Sequence, residues 1–412
     1  MTEWKTYRAE DYCLTVTDGT HDSPKPQAEG RYLITSKHLK PSGIDFSSAN
    51  KICEEDYQKI IQRSKVEQYD ILFSMIGTVG NIHRVTIPIV DFAVKNMGIF
   101  KMGGDANKSL WMYYWLQSPI AKEYIQSRIT GSTQGYLTLG NLRDFPVCVP
   151  PLEEQRRIAG ILGAIDDKIE NNRRINTNLE LQAQALYKQW FVDFEFPNEE
   201  GKPYKSSGGK MVDSELGPIP EGWSVKRLDD YTVIKRGGSP RPIQNYLSNT
   251  GLNWLKISDA TSTNSPFILE IKEFIKEEGL SKTVFLKKGN LVLSNSATPC
   301  IPKFLGLDTC IHDGWLYFPN AKLSKEYLYL LFKNNRQEIL SQGNGSVFLN
   351  LKTDILKSHL ICLPNCIEKM NCFNMIVKAI FKNIENCSFE IKRLTTLRDT
   401  LLPKLMNGEI KL

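Results

Sequence analysis

Between Glu153 and Trp190, apolar or small side chains return on alternating steps of three and four, at Leu162, Ile165, Ile169, Leu179, Ala183, Leu186 and Trp190. Asn172 and Asn176 fill the two seam positions between. That rhythm predicts one long helix carrying a coiled-coil seam. The spacing returns at Val377, Ile380, Ile384, Cys387, Ile391, Leu394, Arg398, Leu401 and Leu405, each 215 residues after its counterpart. The same offset lays Ile169-Glu170-Asn171 on Ile384-Glu385-Asn386. Two helices of one design make internal duplication the first expectation. A buried seam Asn fixes register at a cost in stability; the alternative is that both Asn face solvent where the seam splays. Pro403 predicts that the second helix ends or kinks near Leu402.

The segments around the helices repeat as well. Trp4, Arg8, Asp11 and Tyr12 return as Trp223, Arg227, Asp230 and Tyr231, and Gly19-Thr20 falls on Gly238-Ser239 at the same offset of 219. Gly131 through Leu142 to Pro150 is echoed at an offset of 214 by Gly345 through Leu356 to Pro364. Short β-rich runs such as Arg31–Thr35, Tyr69–Ser74, Trp254–Ile257 and Leu291–Leu293 alternate with turn residues. Helical patches at Ser109–Ile125 and Lys325–Ile339 interrupt them. The expected fold class is α+β, with two pseudo-repeated mixed domains separated by two long helices. The boundaries are a first globule (1–150), a central helix (151–192), a Pro/Gly-rich linker without regular structure (193–222), a second globule (223–364), and a distal helix with tail (365–412).

Composition adds little and excludes more. The chain has 412 residues, enough for two globular units, with 41% hydrophobic and 24% charged residues and a net charge of +6. That mild balance permits nucleic-acid binding without arguing for it. The start has no apolar run that could serve as a signal peptide, and no stretch could span a bilayer, so the expectation is a cytoplasmic protein that does not engage a membrane. Nine scattered cysteines without a CxxC agree with a reducing compartment. His359, Cys362 and Cys366 come closest to a metal cluster but read as buried small side chains, and no metal site is expected. There is no Walker A sequence, no GxGxxG opening a helix and no HExxH. Ser206-Ser-Gly-Gly-Lys210 lacks the upstream glycine of a phosphate loop. Glu270-Ile-Lys272 is one of several E-x-K triplets and carries no nuclease signal. With no nucleophile placed beside a base, the chain is expected to be non-catalytic.

Five stretches carry a resemblance: Pro150-Pro-Leu-Glu-Glu-Gln-Arg-Arg-Ile-Ala159, Trp190-Phe-Val-Asp-Phe-Glu-Phe-Pro197, Gly201-Lys-Pro-Tyr-Lys-Ser-Ser-Gly-Gly209, Glu215-Leu-Gly-Pro-Ile-Pro-Glu-Gly-Trp223 and Leu401-Leu-Pro-Lys-Leu-Met-Asn-Gly-Glu-Ile410. On these the chain resembles the specificity subunit of Type I restriction-modification enzymes over essentially its whole length. The resemblance implies two target-recognition domains, each reading one half of a split double-stranded DNA sequence, and two helices forming an antiparallel coiled coil that spaces them. It implies modification subunits, two in number, that bring S-adenosylmethionine, and restriction subunits that bring ATP and Mg; none of these cofactors is expected in this chain. The second helix departs from the pattern, opening Pro364-Asn-Cys-Ile-Glu-Lys-Met where the first opens Pro150-Pro-Leu-Glu-Glu-Gln-Arg. A coiled-coil adaptor without DNA specificity is the competing reading.

Base readout needs Arg, Lys, Asn, Gln, Ser or Thr on loops. In the first globule the candidates are Thr20, His21, Lys25, Ser36, Lys37, Thr78, Asn81, His83, Arg84 and Gln134. In the second they are Lys235, Arg236, Arg241, Lys256, Ser258, Asn295, Ser296, Thr298, Lys303 and Ser346. A 38-residue helix is about 57 Å long at 1.5 Å per residue, against about 34 Å for one turn of duplex. Such a rod would hold two readers about one turn apart.

Overall fold

The computed structural model describes residues 4–40, 43–131, 135–342 and 350–410. The chain divides into two compact units: residues up to Lys168 together with those from Leu394 onward, and Ile169–Arg393. Both long helices contribute to each unit. The first runs from Leu152 to Phe191 and the second from Ile367 to Met406, 40 residues apiece.

In the first unit a four-stranded antiparallel sheet has the order Thr15–Asp18, Met97–Lys101, Ile71–Ser74, Ile82–Arg84. The two central strands are buried at every position, which is why they read as continuous apolar runs rather than alternating ones. At Gly98 a Cβ would stand 2.3 Å from Leu142 Cδ1, so any side chain there would displace Leu142. A second sheet sets Arg31–Ile34 between Asn50–Ile52, antiparallel, and Phe92–Val94, parallel. Lys5–Arg8 pairs antiparallel with Pro146–Val149 and closes the globule. Its core joins Phe73, Phe100, Trp111 and Phe145 to Ile158 and Leu162 of the first long helix and Leu402 and Leu405 of the second.

The second unit repeats this topology. Lys235–Arg236, Trp315–Tyr317, Leu291–Ser294 and Pro302–Leu305 take the same sheet order, extended by Phe267–Ile268. Leu252–Leu255 lies parallel to Thr309–Ile311 as Arg31–Ile34 does to Phe92–Val94. Trp223–Arg227 pairs with Leu360–Pro364. The structural match shifts one expected equivalence by a residue. Gly19 N–H donates to the Met97 carbonyl and Thr20 N–H to Val94; the corresponding donors are Gly237, to Trp315, and Gly238, to Ile311. Gly19 therefore matches Gly237, and for the same reason: a Cβ on either would meet a carbonyl oxygen of the facing strand at 2.3 and 2.2 Å.

Three expectations need correction. The helical patch 109–125 is two helices, Ala106–Trp115 and Pro119–Arg128, because Ser118 caps the second, its hydroxyl accepting from Ala121 N–H at 3.1 Å, with Pro119 at the first helical position. Pro403 does not end the second long helix. It sits in the last turn, where only one intrahelical bond is lost, and burial of Leu402, Leu405 and Met406 carries the helix to Met406. The 193–222 segment does hold regular structure, a hairpin of Met211–Val212 and Ile219–Pro220. Aromatic burial organises it: Phe196, 1% exposed, stacks between Tyr204 and Trp223 at 4.7 and 5.0 Å between ring centres.

The helices are antiparallel. Within the second unit Asn172 faces Glu390, Asn176 faces Ser388, and Trp190 faces Phe373. Of the expected seam positions Leu162, Ile169, Ala183, Trp190, Val377, Ile384 and Leu405 are buried. Ile165, Leu179, Leu186, Ile380, Ile391, Leu394 and Leu401 are partly so. The stripe is wider than a two-helix seam because the second helix also packs on its globule, burying Phe373 and Phe381, the latter against Phe304 and Tyr329. Both Asn are buried rather than splayed into solvent. Replacing Phe373, fully buried among Trp190, Phe191 and Tyr327, with Ala should cost about 3–5 kcal/mol in urea unfolding. Exposed Met375→Ala should change it by under about 0.5 kcal/mol.

Candidate nucleic-acid interface

Loops chosen from sequence emerge together at one end of a sheet in each unit. In the first, Asp18 pairs with Gly98 and Ser74 with Met97, so the segment 19–25, the turn 95–96 and the loop 75–81 all leave the same edge. The loop after Ile34 joins them, since Lys95 N–H donates to the Ile34 carbonyl at 2.9 Å. Tyr136 is tied in through its bridge to Ile76. In the second, Ser294 pairs with Trp315 and Arg236 with Leu316, bringing the segments 237–241, 295–301 and 312–314 to one edge. The short helix Ile257–Thr261 follows from the strand paired with Ile311.

The loops 75–81 and 295–301 are built alike. Ser74 Oγ donates to the Thr78 carbonyl as Ser294 Oγ does to Thr298, and Asn81 and Ile301 accept from the amides of Ser74 and Ser294. Left-handed backbone is needed at Gly77 and Gly80 in one, and at Ala297 and Cys300 in the other. The second loop thus carries at non-glycine residues a conformation the first gives to glycine, a strain tolerated because the Ser294 contacts hold it.

Placement separates the candidates. Lys25, Lys37, Thr78, Asn81, Lys235, Arg236, Arg241 and Ser258 are exposed, and His21 is exposed with its ring nitrogens 2.8 Å from Asp18 and Asn96. Ser36, Ser296, Thr298 and Lys256 are partly exposed, Lys256 paired with Glu273 at 3.0 Å. Asp313 gathers the second cluster: its carboxylate accepts from Ser239 at 2.6 Å and Arg241 at 3.3 Å, and its carbonyl from Asn295 at 3.3 Å. Gln134 and Ser346 lie outside the described residues.

Four candidates are committed internally. Lys303 is buried, its ammonium donating to the carbonyls of Thr263 and Ser265 at 2.8 and 2.5 Å, and burial pushes its pKa down to about 8. Asn295 and Thr20 are buried within their loops. Arg84 donates to Ser109 Oγ and the Ala106 carbonyl and lies 5.0 Å over Tyr69. Lys303 sits inside the strand Pro302–Leu305, which is buried at every position, rather than in the loop before it. Sequence reading missed Arg63, which grips the Asp18 carboxylate and the Gly19 carbonyl, and Asp313. Among the described residues no cluster of three metal-ligating side chains occurs, and no helix is long and apolar enough to cross a membrane.

An α+β chain with two pseudo-repeated globules on paired helices defines the class. Residues 24–181 match the model of the Type I restriction modification DNA specificity domain. The MjaIX specificity subunit of a Type I restriction enzyme from Methanocaldococcus jannaschii is 28% identical over 74% of this chain and 70% of its own length. The HindI specificity subunit from Haemophilus influenzae is 25% identical over the full length of both. The S subunit of a Type I restriction-modification system from M. genitalium shares the fold, with a TM-score of 0.60 at 13% identity over 98% of this chain and 96% of that one. The chain is thus similar, in sequence and in fold, to Type I restriction-modification specificity subunits.

His83, on Ile82–Arg84 opposite Leu72, is held down to about pH 4 by burial. The unfolded chain protonates it near 6.5, so between pH 6.5 and 4 the unfolded state binds the extra proton and stability falls as pH falls. His83→Gln should lessen the acid loss by about 2 kcal/mol. Chemical unfolding at pH 7 and pH 4.5 checks this; an identical loss in both proteins would contradict it.

Proposed function

We propose that this chain is the non-catalytic DNA-reading subunit of a cytoplasmic Type I complex, each sheet-end loop cluster reading one half of a bipartite duplex target. The convergence of the polar loops at one sheet end in both repeats carries this reading. Exposed Lys25, Lys37, Lys235, Arg236 and Arg241 would meet phosphates, and Asn, Ser, Thr and His side chains beside them the base edges. The domain limits then take the roles expected above: recognition domains at 1–150 and 223–364, with the helices between and after them as spacer.

Two modification subunits, carrying S-adenosylmethionine, would dock on the helices, with restriction subunits bringing ATP and Mg. Ile161 and Ala164 are exposed on the first helix, and Ile376 and Ala379, 215 residues on, are exposed on the second. One apolar face repeated once per helix supports two equivalent partners. The faces differ in charge, Arg156-Arg157 standing where the second has Asn371-Cys372.

An unbroken 40-residue helix of about 60 Å would also act as the ruler for the unread spacer. Four residues inserted after Asn178 add about 6 Å and are absorbed as a local stutter, lengthening the spacer by one or two base pairs of about 3.4 Å. Two inserted residues turn the seam away from its partner and should abolish methylation. Sequencing methylated sites in cells carrying each variant with the partner subunits decides this. An unchanged spacer in a well-folded four-residue insertion would contradict the ruler while leaving two-domain reading intact.

A further inference from the structure

In each unit a polar side chain joins the globule to both helices at once. In the first unit it is Asp166 of the first helix. Its Oδ2 accepts from the Tyr114 hydroxyl, on the globule's helix, at 2.7 Å, and its Oδ1 accepts from Arg398 Nη1, on the second helix, at 2.8 Å. Burial, then the charge of Asp166, holds the Tyr114 hydroxyl far above its usual range, so it stays protonated and donates to the carboxylate. In the second unit the hub is Ser388 of the second helix. Its hydroxyl donates to the Ile384 carbonyl at 2.7 Å and accepts from Asn176 Nδ2 of the first helix at 3.1 Å; Ser265 Oγ of the globule lies 3.3 Å away. Lys303, lost as a DNA contact, holds the Ser265 segment from below through two carbonyls.

We propose that Asp166 and Ser388 are positioning residues: each locks its recognition domain to a single register and rotation on the helix pair, and so sets how sharply the unread spacer is defined. The proposal rests on the two-reader function above. The aromatic and aliphatic cores supply the stability; they are poor at choosing among shifts, since apolar surfaces repack. The hubs are not tolerant. Sliding the second helix by one turn would set Leu394 or Leu402 against the Asp166 carboxylate, and Ile384 or Ile391 against Asn176, leaving buried polar groups without partners. Replacing such groups with apolar ones is compatible with a stable fold, which is why their role should appear in geometry rather than in folding.

The test uses the assembled methyltransferase with Tyr114→Phe, Ser388→Ala and the double variant. Each removes hub contacts without introducing a charge. Methylated sites are sequenced, and methylation at the preferred spacer is compared with that at sites one base pair longer or shorter, alongside melting temperature. The expected result is unchanged half-site bases and a preference for the natural spacer that falls about five-fold per variant, the worth of one hydrogen bond of typical strength, and further in the double variant. A spacer preference equal to that of the parent overturns the proposal. So does methylation reduced equally at all spacers with a lowered melting temperature, the mark of a merely structural role. A change in the half-site bases would instead count against the two-reader function on which it stands.

Discussion

Two helices of 40 residues, each with an apolar stripe that water would not tolerate, must cover one another, and the rest of the chain is hung on that pairing. The stripe is broader than a pair of helices needs. Its surplus side chains, Ile158 in one unit and Phe373 and Phe381 in the other, are the floor on which each globule is laid. Helix and globule therefore share the largest core cluster in each unit, and both helices contribute to it.

Because the chain is built twice over, each piece of local chemistry has a counterpart that tests its reading. A glycine where strands approach within reach of a carbonyl recurs as Gly19 and Gly237. A serine that folds a loop back on itself recurs as Ser74 and Ser294. What does not recur is the chemistry at the loop surfaces. One edge carries His21 with Asp18 and Asn96, the other Arg241 with Ser239 and Asp313. Shared scaffolding under unlike surfaces is what two readers of unlike half-sites require.

The helices, their duplication and the loops that converge were legible in the sequence, since periodicity and repeat offsets are long-range signals that survive local noise. Single side chains were not. Lys303 and Arg84 looked like free cations because nothing in the sequence shows that the carbonyls of Thr263, Ser265 and Ala106 lie within reach. The hairpin inside 193–222 was hidden because Phe196, Tyr204 and Trp223 are far enough apart to show no pattern, while the Pro and Gly between them read as irregular chain. Arg398 in a seam position was a signal left unread: a cation there implies an acid on the facing helix, and Asp166 is that acid.

The central claim, two independent readers in one chain, is tested most directly by exchanging residues 1–150 for the equivalent domain of a relative and sequencing the methylated genomic sites. The account predicts that one half of the target changes to the donor's while the other half is kept. Methylated sites in which both halves change together, or neither does, would contradict it.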